Sequence, residues 1–591
     1  MCGVFGYIGS NKEKLSDFLL EGLFKLEYRG YDSSGVAVST KRGFKIIKEV
    51  GELKNLGDAI KDVVLEGSMG IGHTRWATHG KVSKRNSHPQ TGCRRDLIVV
   101  HNGIIENFQE LKNGLEKKGH KFTSDTDTEV AVHLVEQRIE KGETFKTAVR
   151  NTFRELDGLN AIVVLSKEAG MAAFRNGSPL VVGKTDNGYL VSSDIPALSK
   201  YTDKVLLLED NQGVFLQEDS LELMDTEGKS VKPKFKTISM DEVKADKGGY
   251  KHYLLKEIFE QPEVIRRVAD NNKDDIRAAT KMIKGAWGTY FTACGTAAHA
   301  GLTATYLFSE IAKRHVNFAY GSEFPFIEDF MEKRSLLIAA SQSGETMDTL
   351  EAVKSAKKHN SKVLALVNVP GSSLTRLADN TIYLKAGPER AVLSTKSYIA
   401  KLSMFLLFAC EMAGEYKKGK KILIETSNEL RKTLSKRYTT EVKRLSKKLI
   451  KHEHIYIIGR GVNYPAALEG ALKIKEASYV HAEGFAAGEL KHGVIALIEK
   501  GTPCIAIVAN DRAKDATISN AAELKARGGY VIGVACEDNQ VFDEWLKVPD
   551  VKWASPILNI VPFQLLAYYM TVFRGYNPDK PRNLAKSVTV K

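Results

Sequence analysis

Cysteine is scarce in this sequence: 591 residues carry six, and no two of them stand in a CxxC pair. So few thiols in so long a chain build no disulfide framework, which excludes a small secreted scaffold and points to a reducing, cytoplasmic location. The N-terminus lacks the basic start and apolar run of a secretory leader. Uninterrupted apolar stretches are missing too. The best membrane candidate, SPILNIVPFQLLAYYMTVF at 555–573, contains Asn559, Pro562 and Gln564 and is expected to be a buried terminal helix. A basic block is also absent. The formal net charge is +14, but Lys and Arg are interleaved with Asp and Glu. That distribution favours small anionic substrates, with no nucleic acid and no membrane as partners. In the run 443–454, Val442, Leu445 and Leu449 fall at helical spacing, so its lysines form the wet side of an amphipathic helix.

The length calls for about two to four domains. Residues 1–240 are rich in short strand patterns such as GVFGYIG, SSGVAVST, DLIVVHNG and LNAIVVLS, broken by the helical patterns LSDFLLEGLFKLEYRG and TDTEVAVHLVEQRIEKG. This texture predicts a layered α+β domain. A linker is placed at 241–265. Beyond it the chain repeats itself: YFTACGTAAHAGLTATYLF (290–308) and IYIIGRGVNYPAALEGALKIKE (455–476) both read strand, glycine turn, helix. Their continuations match as well, which predicts two α/β units with doubly wound parallel sheets, 266–425 and 426–575, and a C-terminal tail, 576–591. The copies differ in one loop. Ser341-Gln342-Ser343-Gly344-Glu345-Thr346 in the first is replaced by Ala509-Asn510-Asp511-Arg512-Ala513-Lys514 in the second.

Cys2 stands directly behind Met1. Once Met1 is removed, the residue has a thiol of pKa about 8.5 and its own α-amine of about 8, so the amine can shuttle the thiol proton without a histidine. A buried cysteine in a first strand is the plainer reading. Four further stretches bear on it: EYRGYDSSG with Arg29, GIGHTRWATHG with Arg75, Trp76 and His79, DLIVVHNGIIEN with Asn102 and Gly103, and SDTDTEV with Asp127. Each has a structural alternative, since Asn-Gly makes hairpin turns and Thr126 with Glu129 spells a capping box. A zinc set from His73, His79, His88 and Cys93 matches no finger spacing, and neither metal nor cofactor is expected.

In this order the motifs of residues 1–240 resemble the class II glutamine amidotransferase domain of the N-terminal nucleophile hydrolases, an αββα four-layer fold. The resemblance implies that Cys2 attacks the amide of L-glutamine to give a thioester and ammonia. It also implies that Arg75 and Asp127 hold the substrate's carboxylate and ammonium, that Asn102 and Gly103 form the oxyanion hole, and that His79 and Arg29 shape the pocket.

In the second half, the Ser341–Thr346 loop joins a strand to a helix and has no Walker lysine, and its hydroxyls and backbone N–H groups suit a phosphate. Turn serines and an N-cap would explain the same residues. Lys473 and Glu476 are three apart and share a helix face, as any surface ion pair might be arranged to do. The repeat resembles sugar isomerase (SIS) domains. With VLSTKSY (392–398), AAGELKHG (486–493) and PRNLAKSVTV (581–590), the whole chain resembles the isomerising amidotransferases that use L-glutamine and D-fructose 6-phosphate. That resemblance implies Ser341, Gln342, Ser343 and Thr346 on the phosphate, with Thr296, Ser394 and Lys473 toward the sugar. Glu476 would then move the proton between C1 and C2, His492 open the ring and Lys586 meet the ketose carbonyl. Trp76 would gate an ammonia channel, and a homodimer through the SIS half is implied, with His492 serving the partner's site. The products would be D-glucosamine 6-phosphate and L-glutamate. One departure is Ala297, where the family carries a serine, so a different ketose or aldose phosphate stays open as the acceptor. A sugar-phosphate sensor without turnover is disfavoured, because it would not need Cys2, Glu476, His492 and Lys586 together. Phosphoribosyl transfer is disfavoured by the lack of an acidic pyrophosphate-binding stretch.

Overall fold

The structure is a computed structural model that describes residues 2–237, 247–271 and 273–588. Met1, the start of the expected linker (241–246) and the end of the expected tail (589–591) lie outside the described residues. The chain forms two compact units, Met1–Lys244 with Ser587–Lys591, and Ala245–Lys586.

The first unit stacks two antiparallel sheets between helices. Strands Gly3–Lys12 and Gly67–Arg75 are neighbours inside the eight-stranded sheet, while Leu97–Asn102 pairs with Ala161–Ser166 in the seven-stranded one. Side chains alternate along each strand. Val4, Ile8 and Ile71 therefore meet Ile98, Val100 and Val163 between the sheets, while Phe5 and Tyr7 turn outward onto Leu15, Leu19 and Leu23 of helix Leu15–Phe24. On the other outer face Val99, Ile162 and Val164 pack on Val130, Leu134 and Val135 of helix Glu129–Glu140. Both faces of each sheet are covered, which explains why these strands read as nearly continuous apolar runs. The register decides where the chemistry sits. Gly3 pairs with Thr74, so Cys2 emerges beside Arg75.

The second unit contains two five-stranded parallel sheets with one topology. The spatial order is Asn317–Tyr320, Gly288–Ala293, Ser335–Ser341, Lys362–Val367, Asn380–Tyr383 in the first and His481–Ala486, His454–Gly459, Pro503–Val508, Tyr530–Ala535, Glu544–Lys547 in the second. The strand order is second, first, third, fourth, fifth in both copies, as duplication requires. The switch point of such a sheet lies at the carboxyl ends of its first and third strands. In the first copy those ends lead into Cys294-Gly295-Thr296 and the Ser341–Thr346 loop. One apolar cluster runs through both copies, from Phe291 and Ile338 to Ile457 and Ile505. Helices Tyr253–Phe259 and Gln261–Ala269 add Leu254, Ile258, Val264 and Ile265 to that cluster. Val442, Leu445 and Leu449 are buried along helix Lys436–Leu449, as their spacing predicts. Among the described residues one segment, Lys552–Phe573, is long and apolar enough to cross a membrane, and 83% of its apolar window is buried within the fold. It is a core helix.

Candidate functional site

Two constellations emerge, one in each unit. In the first, the Cys2 thiol receives the Trp76 N–H at 3.3 Å, and the Cys2 carbonyl accepts from Arg29 Nε at 3.2 Å and Asn102 Nδ2 at 3.1 Å. Asn102 uses one amide hydrogen there and has a second to offer. Its orientation is set from behind: His73 Nε2 lies 3.2 Å from Asn102 Oδ1 and 3.1 Å from the His101 carbonyl, so it donates to both. Gly103 follows with φ +140, and a Cβ there would stand 2.3 Å from the Leu159 carbonyl, so only glycine turns the chain at this point. Arg75 is 3% exposed. Its Nη2 donates to the carbonyls of His79 and Gly80, while Nη1 is buried without a partner. Burial pulls the guanidinium below the usual arginine range, and Cys2, Asp127 and Asp32 oppose that shift. A buried guanidinium nitrogen without a partner is costly, and an anionic group would satisfy it.

Asp127 does not serve the capping box. Thr126 makes no cap, and Glu129 reaches back to the N–H groups of Thr123 and Ser124 at 2.7 and 2.6 Å. Asp127 instead accepts the Ile105 N–H at 2.9 Å, two residues beyond Gly103. The four histidine and cysteine positions weighed as a zinc set do not assemble. His88 Nδ1 faces His73 Nε2 at 3.2 Å. Burial pulls His73 down to about 3 and His88 well below its usual range, so both rings are neutral. His79 packs edge-on to Phe108, and Cys93 lies against His120 and His133.

In the second unit Lys473 is the hub. Its ammonium donates to Glu476 Oε2 at 2.6 Å and to Thr296 Oγ1 at 2.9 Å, and stands 3.4 Å from Glu469. Burial alone would lower this lysine, but Glu469 and Glu476 outweigh it and hold the ammonium above the usual range. The two carboxylates differ in access: the Glu476 side chain is 22% exposed, that of Glu469 0%. Glu469 also bonds His299 Nδ1 at 2.8 Å. Thr296 and His299 belong to helix Gly295–Glu310, and Glu469, Lys473 and Glu476 to helix Tyr464–Ser478, the equivalent helices of the two copies. The phosphate-type loop is preorganised by its own hydroxyls. Ser341 Oγ lies 3.0 Å from Thr346 Oγ1 and accepts the Gly344 N–H at 3.0 Å, and Ser343 Oγ accepts the Glu345 N–H at 3.1 Å.

Residues 1–214 match the family described as glutamine amidotransferase domain, and 283–410 and 448–574 each match the SIS domain. Over 605 residues the chain is 43% identical to the glutamine–fructose-6-phosphate aminotransferase (isomerizing) of Thermococcus kodakarensis. It is 42% identical over 614 residues to the protein of that name from Clostridium tetani, and both alignments span 100% of each chain. The chain belongs to the glutamine–fructose-6-phosphate aminotransferase family. Among solved structures, the C-terminal domain of glucosamine-fructose-6-phosphate aminotransferase from Francisella tularensis aligns with a TM-score of 0.53 and 35% identity, over 57% of this chain and 100% of that one.

Within this aminotransferase, three expected site residues stand apart from the Lys473 hub. His492 is exposed at the end of the short helical turn Ala487–His492, and Ser394 is half-buried. Lys586 is buried against Glu389, Nζ to Oε2 at 2.7 Å. Glu389 also accepts the N–H groups of Thr395 and Ser397 and the Ser397 hydroxyl, all within 3.1 Å. The tail that presents Lys586 is anchored by Asp579, whose carboxylate takes the Tyr253 and Leu254 N–H groups at 2.9 and 2.8 Å. Sequence reading does not find Glu389, Glu469 or Lys401, and weighs His73 only as a zinc ligand, not as the support of Asn102. The signal for Glu469 was present, four residues before Lys473 on the same helix. Lys401 is 1% exposed, and burial pulls it down to about 8 against the opposing field of Glu389.

Glu257 faces the same cluster. Burial, reinforced by Glu389, pushes its carboxyl up to about 8, and its Oε2 has no hydrogen-bond partner. The folded state therefore holds a proton that the unfolded chain releases between the ordinary glutamate range and about pH 8, and stability falls as pH rises across that window. Glu257→Gln should flatten this fall. Relative to wild type, the variant's second unit is expected to gain roughly 2–4 kcal/mol of stability between pH 5 and pH 8. Urea melts at the two pH values check this, and parallel pH profiles would refute it.

Proposed function

We propose that this chain transfers the amide nitrogen of L-glutamine to D-fructose 6-phosphate, with isomerisation, and releases L-glutamate and D-glucosamine 6-phosphate. The observation that carries the reading is the coexistence of two preorganised sites in one chain: a nucleophile pocket in which Arg75 Nη1 has no partner, and a buried ammonium binding a partly exposed carboxylate at Glu476.

With Met1 removed, the Cys2 α-amine takes the thiol proton and the sulfur adds to the glutamine amide carbon. The spare N–H of Asn102 and the Gly103 N–H receive the developing oxyanion, a role that requires donors fixed in advance. Collapse of the tetrahedral adduct breaks the C–N bond, the leaving nitrogen takes the proton as ammonia, and water later releases glutamate from the thioester. Arg75 Nη1 and Asp127 bind the substrate's α-carboxylate and α-ammonium, with His79 and Arg29 bounding the pocket. Ammonia then passes to the second unit, with Trp76 as the gate.

There, Ser341, Gln342, Ser343 and Thr346 hold the phosphate, and Thr296, Ser394 and Lys473 contact the open-chain sugar. His492, supplied by a second copy of the chain in a homodimer, opens the ring. Lys586 meets the C2 carbonyl. Ammonia adds at C2 with loss of water, and Glu476 carries a proton from C1 to C2, which converts the ketose imine into the amino aldose. The enzyme works in the cytoplasm.

Ala297, half-buried one residue after Thr296, supports a second reading in which the acceptor is another ketose or aldose phosphate. Incubating purified protein with amide-¹⁵N glutamine and fructose 6-phosphate should give ¹⁵N-labelled glucosamine 6-phosphate by mass spectrometry. Labelled ammonia without labelled amino sugar would reject this acceptor and favour the second reading.

A further inference from the structure

Outside both sites, four side chains of different chemistry converge in the first unit: Cys93, His120, His133 and Glu136, whose ligand atoms all lie within 4.8 Å of one another. His133 and Glu136 are one helical turn apart on Glu129–Glu140; Cys93 comes from the turn before strand Leu97–Asn102, and His120 from the turn after helix Phe108–Glu116. The His120 and His133 Nδ1 atoms are 3.2 Å apart, and each is 3.5 Å from Glu136 Oε2. Cys93 Sγ is 3.9 Å from His120 Nδ1 and 3.7 Å from His133 Nδ1. Zinc bonds of about 2.0–2.2 Å to N or O and about 2.3 Å to S, at tetrahedral angles, give edges of about 3.3–3.4 Å among N and O and about 3.6 Å to S. All five separations fall within a few tenths of an ångström of that figure.

The surroundings are those of a ligand set. Glu136 is oriented by two backbone donors, Cys93 N–H at 3.0 Å and Arg94 N–H at 2.8 Å. Gly92 makes room for it, since a Cβ there would stand 2.9 Å from Glu136 Oε1. The Lys121 N–H points at the Cys93 sulfur from 3.5 Å. The far nitrogen of His133, Nε2, is buried without a hydrogen bond but lies 3.5 Å from the fully buried Glu129 carboxylate, the kind of outer group that orients a metal-bound imidazole. The His133 and Glu136 side chains are 1% and 3% exposed, whereas Cys93 is exposed and leaves an entry path.

We propose that Cys93, His120, His133 and Glu136 bind one zinc-type divalent ion in a closed tetrahedral site. Thiolate with imidazole selects such an ion over calcium or magnesium, and four protein ligands leave no position open for chemistry, so the ion is structural. It clamps the start of the strand that ends at Asn102 to the helix that follows Asp127.

The test uses the full-length protein, stripped with chelator and titrated with Zn²⁺ against a chromophoric competitor. One tightly held ion per chain is expected, with the first unit's melting midpoint falling on stripping and returning with zinc. Cobalt substitution should give a thiolate-to-metal absorption that Cys93→Ser abolishes. Cys93→Ser with His120→Ala should weaken zinc binding by at least about 100-fold. No retained ion in the wild type, or a cobalt–thiolate band that survives Cys93→Ser, would overturn the proposal. The wild-type titration decides the matter even if the double variant does not fold.

Discussion

Cys2→Ala should abolish glutamine-dependent amino-sugar formation, lowering kcat by about 10³-fold or more, while fructose 6-phosphate still isomerises in the absence of glutamine. The size of the effect follows from the pocket. Among the described residues no other thiol touches the Trp76 N–H, and Arg75, Asn102 and Gly103, proposed to bind and stabilise, carry no nucleophile. The substitution removes one sulfur atom beside a strand paired on both sides, so glutamine binding should persist. Separate assays for glutamate release, amino-sugar formation and sugar isomerisation check the outcome. Loss of isomerisation in a folded Cys2→Ala protein would mean that the two chemistries are not carried by separable sites. A preparation that retains Met1 should behave like the variant, because its Cys2 nitrogen is then an amide and cannot accept the thiol proton.

Glu476→Gln should have the converse phenotype: sugar isomerisation and amino-sugar synthesis fall by about 10²–10⁴-fold, glutamine hydrolysis persists, and the melting temperature is little changed. Its neighbour provides the control. Glu469 and Glu476 both bind Lys473, but Glu469 is sealed and bonded to His299, whereas Glu476 is partly open. A carboxylate that moves a substrate proton must reach the substrate, so the proposed function gives the chemical role to Glu476 and leaves Glu469 to balance the buried ammonium. Glu469→Gln should therefore cost about 2–4 kcal/mol of stability in the second unit. Equal loss of sugar turnover in both variants at equal stability would show that this division of roles is wrong.

Much of the architecture could be read directly from the sequence because burial on both faces leaves a strong mark. Strands such as GVFGYIG and LLIAA are apolar runs, and the repeat appears as two strand–glycine–helix units. Short-range pairs were equally legible: Lys473 and Glu476 lie three residues apart and meet as a helix dictates. Long-range pairs left no such mark. Lys586 and Glu389 are separated by 197 residues, and Lys473 and Thr296 by 177. Nearness along the chain was misleading for Cys93. Grouped with His73, His79 and His88 it suggested one cluster, but the strand and helix geometry sends His73 to the support of Asn102 and Cys93 to His120 and His133. Likewise the capping-box letters at 126–129 were satisfied by a different bond, because Glu129 found donors at Thr123 and Ser124 first.

The hub at Lys473 sits where the matching helices of the duplicated halves touch, with Thr296 and His299 on one side and Glu469, Lys473 and Glu476 on the other. In a pair of identical subunits related by a two-fold axis, every residue on one side of such a contact recurs on the other. Fusion into one gene lifts that constraint. A cation can then be kept on one helix and a hydroxyl on its counterpart, and each flank can mutate without editing its twin. Asymmetric substrates, with a phosphate at one end and a carbonyl at the other, suit a cleft whose two walls have been free to diverge.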